Sequence, residues 1–123
     1  MIFTNQELAA IFRMATVVAG ADGNISNEET ALMALELLRF GVSEEKSQVI
    51  MKEALALSPA EACVIISKMT NEEKRYVTAY LGTMICADGK IEDSEMKAWA
   101  LTSKICSLPT MSLGDAIEIL GEL

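Results

Sequence analysis

The chain has 123 residues, of which 18 are Asp or Glu, 10 are Lys or Arg and none is His, so its formal net charge is −8. A chain of this length can bury a core without a disulfide or a structural metal, because folding removes roughly two thirds of the surface that the unfolded chain exposes. The negative charge argues against nucleic-acid binding, which needs a dense basic face to replace the counterions of the phosphate backbone. Without His, the chain lacks the commonest proton shuttle near neutral pH, so most hydrolytic and transfer chemistries are disfavoured.

The N-terminal segment and the cysteines predict a soluble, cytoplasmic protein. Residues 1–10 contain one Glu and no basic residue, so they lack the charged start of a secretory signal. The uncharged stretch 76–87 is far shorter than the roughly 20 residues that cross a bilayer. Cys63, Cys86 and Cys106 lie among apolar neighbours and are odd in number, which predicts reduced thiols in the core rather than a disulfide framework or a zinc site.

Helix start signals are dense along the chain. Capping boxes, in which a Ser or Thr hydroxyl and a Glu three residues later satisfy backbone amides, begin at Thr4, Ser26, Ser58 and Thr70. The apolar run 64–66 could form a strand, but no second run exists to pair with it, and we interpret it as helix. The sequence therefore predicts an all-α bundle with helices near 4–20, 26–40, 43–56, 59–69, 70–87, 93–107 and 112–122.

Apolar residues at helical spacing predict the faces that pack in the core. These faces comprise Leu8, Ile11, Phe12, Ala15 and Val18; Leu32, Leu35 and Leu38; Ile50, Ala54 and Leu57; Val77, Tyr80, Leu81 and Met84; Ala98, Leu101 and Ile105; and Leu113, Ala116, Ile117 and Leu120. Gly41 is placed to end the second helix. Eight Met residues are spread along the chain, which favours core filling, whereas an exposed Trp99 would mark an interaction surface.

Two motifs recur at one offset of 66 residues. Residues 4–7, Thr-Asn-x-Glu, match residues 70–73, and residues 21–29, Ala-Asp-Gly-x-Ile-x-x-x-Glu, match residues 87–95. A constant offset for a capping box, a helix and a turn favours duplication of a helix-turn-helix unit. We predict one domain over residues 1–123 with pseudo-two-fold halves, in which repeat 1 spans about 4–57, a connecting helix 58–69 and repeat 2 about 70–123.

The repeated turn has the spacing of the second half of an EF-hand calcium loop. Asp22 and Glu29 in the first copy, and Asp88 and Glu95 in the second, would supply carboxylate ligands. The earlier loop positions offer no carboxylate, so water would complete the shell and each loop would bind calcium weakly, on the order of 0.1 to 1 mM at best. A stronger site requires that the two turns face each other so that the four carboxylates converge.

The same residues also have an explanation without a metal. Asp-Gly is a favoured turn pair, and Ile25 and Ile91 would anchor the turns in the core. Glu29 would be the capping-box partner of Ser26, and acidic residues in first helical turns are stabilised by the helix dipole. In the second copy Glu92 occupies the position of Ser26, and this copy is more acidic than capping requires. The cation hypothesis therefore stays open.

With the turns at 21–29 and 87–95 between helices of an acidic all-α chain, the sequence resembles the tellurite-resistance TerB family and the related N-terminal domain of the co-chaperone DjlA. The resemblance implies a duplicated all-α fold and an acidic face that is proposed to bind divalent metal in that family. The 123 residues contain no J domain and no predicted membrane span, so co-chaperone activity and tellurite resistance do not follow. On this chain the face would consist of Asp22, Glu29, Asp88 and Glu95, with Glu28, Glu92 and Asp93 beside them.

We therefore expect a non-enzymatic, TerB-like interaction domain whose acidic face docks a protein partner or weakly binds a divalent cation such as Ca²⁺. One alternative is a structural homo-oligomer, such as a homodimer, that has no metal site and associates through an exposed apolar face around Trp99 and the Met residues. A second alternative is a metal-dependent hydrolase built on the four carboxylates, which would need a cleft beside them. No nucleic acid, organic cofactor or membrane span is expected.

Overall fold

The computed structural model describes residues 2–21 and 23–122. Within these ranges the chain forms seven α-helices and no β-strand, so the predicted all-α bundle is confirmed. None of the described helices is long and apolar enough to cross a membrane. The apolar run 64–66 is helical. The helices are α1 (Asn5–Ala19), α2 (Asn27–Arg39), α3 (Glu44–Ala56), α4 (Pro59–Ser67), α5 (Asn71–Ile85), α6 (Asp93–Ile105) and α7 (Leu113–Glu122).

Side chains satisfy the backbone amides at the helix starts, as the capping boxes predict. At α1, Glu7 N donates to Thr4 Oγ1 at 3.1 Å, and Thr4 N donates to Glu7 Oε1 at 2.9 Å. The same reciprocal pair of hydrogen bonds opens α2, α4 and α5. All four predicted capping boxes are confirmed, and short-range sequence patterns thus set these helix starts.

Two helices end in a residue with left-handed backbone angles. After α2, Gly41 has φ +71°, and Val42 N donates across it to Leu37 O at 3.2 Å. Glycine adopts this conformation without the steric penalty of a Cβ, which explains the predicted helix end at this position. After α6 the corresponding residue is Ser107, with φ +58°.

Two central helices, α1 and α5, organise the core. α1 contacts α2, α3, α4, α5 and α6, while α5 contacts α1, α2, α6 and α7. Between them, the rings of Phe12 and Tyr80 meet edge-on with centroids 6.1 Å apart. The predicted apolar faces of α1, α3 and α5 pack in or against this core. α7 buries Ala116 and Leu120 but leaves Ile117 exposed.

The apolar faces predicted for α2 and α6 are wrong in part, since only Leu32 and Ala98 of them pack against the core. Leu35 and Leu38 on α2 are exposed, as are Leu101 and Ile105 on α6. Both helices instead turn a partly polar face inward. The core offers hydrogen-bond partners to some of the polar side chains on this face. The spacing of leucines in the sequence does not reveal such partners. The residues of that face are Glu29, Met33, Glu36 and Leu37 in α2, and Glu95, Trp99, Thr102 and Ser103 in α6.

The helices and turns correspond at the offset of 66 residues. α1 and α5 have 15 residues each, and α2 and α6 have 13 residues each. The four buried positions of α2 recur 66 residues later as the buried positions of α6. Contacts of α1 with α2, α3 and α6 are matched by contacts of α5 with α6, α7 and α2. These observations agree with two related halves, and the duplication itself stays a prediction.

Trp99 lies inside the bundle, so the exposed apolar face expected around it is wrong. Its indole Nε1 donates to Thr78 O at 3.1 Å. The ring packs so closely on α5 that a Cβ added at Gly82 would lie 2.5 Å from Trp99 Cζ2. Glycine at this position therefore makes room for the indole, and the tryptophan serves the core rather than a partner.

The sulfur-containing residues also belong mainly to the core. Cys63 and Cys106 are buried and Cys86 is half-buried, and all three are free thiols, as predicted. Burial, and then the neighbouring Cys63, raise the pKa of the Cys106 thiol, so this group stays protonated at neutral pH. Four methionines are buried in the core, which agrees with the expected role in core filling: Met14, Met33, Met69 and Met84.

A partly buried hydrogen-bond network joins α2, α5 and α7. Tyr76 Oη donates to Glu36 Oε2 at 2.6 Å, and Glu36 Oε1 lies 3.5 Å from Arg39 Nη1. Arg39 Nη1 also donates to Leu120 O at 3.2 Å. Burial, and then the hydrogen bond to Glu36, raise the pKa of Tyr76, so its hydroxyl remains a donor. The network thereby fixes which side of α2 faces the core.

Tyr80 provides a matched comparison for Tyr76. The two rings are parallel with centroids 6.1 Å apart, and the Tyr80 hydroxyl is buried without a hydrogen-bond partner among residues 2–21 and 23–122. Tyr76→Phe removes the donor of a buried carboxylate and should lower the free energy of unfolding by about 1–3 kcal/mol. Tyr80→Phe removes a hydroxyl that is already unsatisfied and should leave that free energy unchanged or raise it. Urea denaturation of both variants measures the difference, and equal losses would contradict the role given to the Glu36 bond.

Candidate functional site

The first Asp-Gly turn follows α1 directly. Gly20 is the C-cap of α1, and Asp22, one of the four predicted ligands, lies outside the described residues. Gly23 has φ +94°, which glycine adopts without steric cost. Its amide donates to Gly20 O at 2.9 Å and closes the turn. The backbone thus reverses between α1 and α2 within a few residues.

The second Asp-Gly turn has the same construction after α5. Gly89 has φ +77°, and its amide donates to Cys86 O at 3.1 Å. The half-buried Asp88 accepts a hydrogen bond at Oδ1 from Lys90 N at 3.0 Å, which is an Asx turn. One oxygen of this predicted ligand is therefore used to hold the turn.

The isoleucines of the two turns do not insert into the core, and that prediction is wrong. Ile25 is 44% exposed and Ile91 is 60% exposed. A Cβ added at Gly20 would lie 3.6 Å from Ile25 Cγ1, so Ile25 lies along the end of α1. Each tight turn satisfies its own backbone through local hydrogen bonds, and no apolar anchor in the core is needed. Both turns consequently present an isoleucine to solvent.

Glu29 has the capping role that the alternative without a metal predicts. Ser26 N donates to Glu29 Oε1 at 2.8 Å, and Glu29 N donates to Ser26 Oγ at 3.0 Å. The side chain is only 3% exposed, and its Oε2 has no hydrogen-bond partner among the described residues. One oxygen thus caps α2, and the other is a buried acceptor with unused capacity.

Glu95 occupies the corresponding position in α6 and is also buried. Burial, and then the negative charge of Glu95, raise the pKa of the Cys86 thiol, so this carboxylate lies near the end of α5 where the second turn begins. Glu92 has the extended backbone of an N-cap but makes no side-chain cap hydrogen bond. The second turn is therefore the less well capped of the two.

The carboxylates predicted to converge do not form a group of three in the described chain. No three Cys, Asp or Glu side chains among residues 2–21 and 23–122 are arranged to hold a metal ion. Glu29, Asp88 and Glu95 therefore do not gather into one such group. The complete set includes Asp22, which lies outside these ranges, so the four-carboxylate site stays a prediction.

The larger grooves lie away from these carboxylates. A groove of about 730 Å³ lies between the start of α5, the segment 107–111 and α7. A second groove, of about 720 Å³, lies between α2 and α3. Neither is lined by Glu29, Asp88 or Glu95.

The α2–α3 groove was missed at the level of sequence. A signal was present, because α2 has apolar residues at Leu35 and Leu38 and also at Met33 and Leu37. These pairs lie on different sides of the helix, and one core-facing side accommodates only one of them. A helix with apolar residues on two sides indicates either full burial or a second contact surface.

One solved protein structure is similar to this chain over its full length. The crystal structure of a protein of unknown function from Porphyromonas gingivalis W83 matches with a TM-score of 0.88. The two sequences are 38% identical, and the match covers 100% of this chain and 99% of that chain. No protein-family model and no curated protein matches the chain.

The difference in capping between α2 and α6 can be tested by removing the capping hydroxyl of α2 and adding one to α6. Ser26→Ala removes a capping hydroxyl and should lower the free energy of unfolding by about 1 kcal/mol. Glu92→Ser introduces a hydroxyl three residues before Glu95 and should raise it by a similar amount, about 0.5–1 kcal/mol, by completing a capping box. Thermal or urea denaturation of the two variants measures both changes. A loss of stability in Glu92→Ser would show that Glu92 has a structural role beyond the cap position.

Proposed function

We propose that this chain, which belongs to the same family as the Porphyromonas gingivalis protein, is a non-enzymatic, TerB-like interaction domain of the cytoplasm. Its contact surface is the turn face, which we define as residues 23–28 and 88–93. The observation that supports it best is the exposure of Ile25 and Ile91 at matching positions of the two turns. Each isoleucine stands beside exposed acidic residues rather than in the core.

The chemistry of the turn face indicates what it would bind. Single exposed apolar side chains are common on protein surfaces, but here two of them recur with exposed Glu28, Glu92 and Asp93 around them. Apolar side chains supply binding energy when a partner covers them, and surrounding charges select the partner and speed its approach. The chain has a net charge of −8. A partner with an apolar recess and a basic rim fits each of the two turns.

Two further features support this function over hydrolysis. The grooves of about 730 Å³ and about 720 Å³ are lined by residues other than Glu29, Asp88 and Glu95. The all-α bundle and the matching Asp-Gly turns also agree with a TerB-like domain. The proposal therefore assigns binding, and no reaction, to the turn face.

The interaction is tested by removing the two apolar side chains. Ile25→Ser with Ile91→Ser should reduce retention of a turn-face partner from a cell lysate at least about tenfold, because buried apolar anchors dominate binding energy. Val64→Ser is the matched control, since Val64 is similarly exposed on α4. Quantitative mass spectrometry of the proteins retained by parent, double variant and control is the measurement. Identical retention by all three baits would contradict the proposal.

A weakly bound divalent cation is the second candidate function of the same face. The observation that favours it is Glu29 Oε2, a buried carboxylate oxygen without a hydrogen-bond partner among the described residues. A buried carboxylate oxygen with free acceptor capacity is available as a ligand for a cation. Carboxylate and carbonyl oxygens with water are the ligands that Ca²⁺ prefers. Asp22 and Glu29 would contribute to a site at the first turn, and Asp88 and Glu95 to one at the second.

Cation binding is tested by thermal denaturation during titration with Ca²⁺ or Mn²⁺ to about 10 mM, since sites of this kind bind with dissociation constants on the order of 0.1 to 1 mM. At 100 times the dissociation constant, occupancy should add about 2.7 kcal/mol to the free energy of unfolding. Asp22→Asn with Asp88→Asn should abolish the increase, whereas Asp115→Asn, in the first turn of α7, should retain it. An unchanged melting temperature in the parent would exclude the cation.

A further inference from the structure

The α2–α3 groove lies outside the turn face, and the proposed function gives it no role. One complete side of α2 and one complete side of α3 form its walls, at the i, i+3, i+4 spacing of a helix contact surface. Its volume is about 720 Å³. The lining residues are Thr30, Met33, Ala34, Leu37 and Leu38 from α2, and Glu44, Ser47, Gln48, Met51, Lys52 and Leu55 from α3.

Large apolar side chains are exposed along this groove. Leu38 is 64% exposed and Leu55 is 70% exposed, while Met33 and Leu37 form a buried floor. A groove that combines an apolar floor with exposed leucines on both walls is a candidate contact site.

The apolar lining is not a general consequence of the fold. A smaller groove of about 430 Å³ lies on α6 and is lined by residues that stand 66 positions after those of α2. In that groove Ser103 and Lys104 occupy the positions of Leu37 and Leu38. The bundle therefore tolerates a charged residue at the position of Leu38, and the exposed Leu38 is not required by the core of this chain.

The two walls leave room for additional helices. α3 packs closely on α1, and α2 contacts α1 and α5, but α2 and α3 are not among the closely packed helix pairs of the described chain. The apolar residues between them are thus only half covered. An α2–α3 hairpin of this form completes its packing when another pair of helices lies against it, as in a four-helix bundle.

The charges of α3 are self-complementary. Glu44, Gln48 and Lys52 line the groove at i, i+4 and i+8, so they form one row along α3. In an antiparallel pairing of α3 with its copy about a two-fold axis at Gln48, each Glu44 faces Lys52 of the other copy. An isologous contact uses the same patch twice and requires such self-complementarity.

We propose that the α2–α3 groove is the contact surface between two copies of this chain, which pair their α2–α3 hairpins about a two-fold axis near Gln48. Leu38, Met51 and Leu55 of both copies provide apolar contacts on either side of this axis, and reciprocal Glu44 to Lys52 pairs set the antiparallel register. This dimer goes beyond the proposed function and does not depend on it. It uses residues outside the turn face and leaves both turns free.

The oligomeric state of the full chain is the first test. Sedimentation equilibrium from about 10 µM to about 1 mM spans weak and tight association. The expected result is a concentration-dependent mass that approaches twice the calculated 13.3 kDa. A mass of one chain at every concentration would overturn the proposal and leave the groove to a different protein.

Apolar variants locate the contact. Leu38→Glu and Leu55→Glu should each raise the dissociation constant of the dimer more than about a hundredfold, because each change removes an apolar anchor from both copies and buries an unpaired charge in both. Both side chains are exposed in the single chain, so folding should persist, which far-UV circular dichroism verifies. Leu101→Glu is the matched control, since Leu101 is 59% exposed on α6. A dimer that survives both groove variants, or that Leu101→Glu disrupts equally, would overturn this location.

Charge reversal tests the register. Glu44→Lys alone, or Lys52→Glu alone, places like charges opposite each other twice per dimer and should raise the dissociation constant about tenfold. The double variant Glu44→Lys with Lys52→Glu restores opposite charges and should return it to within about threefold of the parent. Additive losses in the double variant would overturn the antiparallel pairing about Gln48.

Discussion

The packing of α1 against α5 is the contact on which the other helices depend. Each of the remaining five helices in the described chain lies against α1, α5 or both, and the strongest of these contacts join α1 to α3 and α4, and α5 to α7. Small residues make this arrangement possible, because α1 buries four alanines and α5 places Gly82 under the ring of Trp99. Close approach of helices depends on such residues, since each added methylene in a packed core costs stability.

Around this pair, polar side chains decide how α2 and α6 are rotated. The hydrogen bond from Tyr76 to Glu36 holds one side of α2 inward, and the indole of Trp99 holds one side of α6 through Thr78 O. Buried carboxylates are costly unless they are paired, so these contacts are specific as well as stabilising. The same rotation turns Leu35 and Leu38 of α2 outward. The apolar groove and the buried network are thus two consequences of one orientation of α2.

The molecule consequently has two distinct surfaces. The turn face combines exposed isoleucines with acidic residues and is suited to a basic partner, whereas the α2–α3 groove is apolar and its charges are self-complementary. The two surfaces depend on different interactions. Charges around the turn face select a partner and speed its approach, whereas burial of apolar side chains in the groove provides binding energy. Pairing of two chains through the groove would place two turn faces in one particle and so increase the avidity for a repetitive or dimeric partner.

The amino-acid sequence by itself determined the helices and the turns. Local patterns predict capping pairs such as Thr4 with Glu7 and the left-handed glycines Gly23 and Gly89, because these features depend on neighbouring atoms. The recurrence at 66 residues is visible in the sequence itself. The same local logic predicted Glu29 as a capping partner. Only the tertiary structure decided which side of α2 and α6 is buried, because that depends on distant residues such as Tyr76. It likewise decided that Ile25 remains at the surface and that Trp99 does not, since burial is a property of the whole packing and not of residue type.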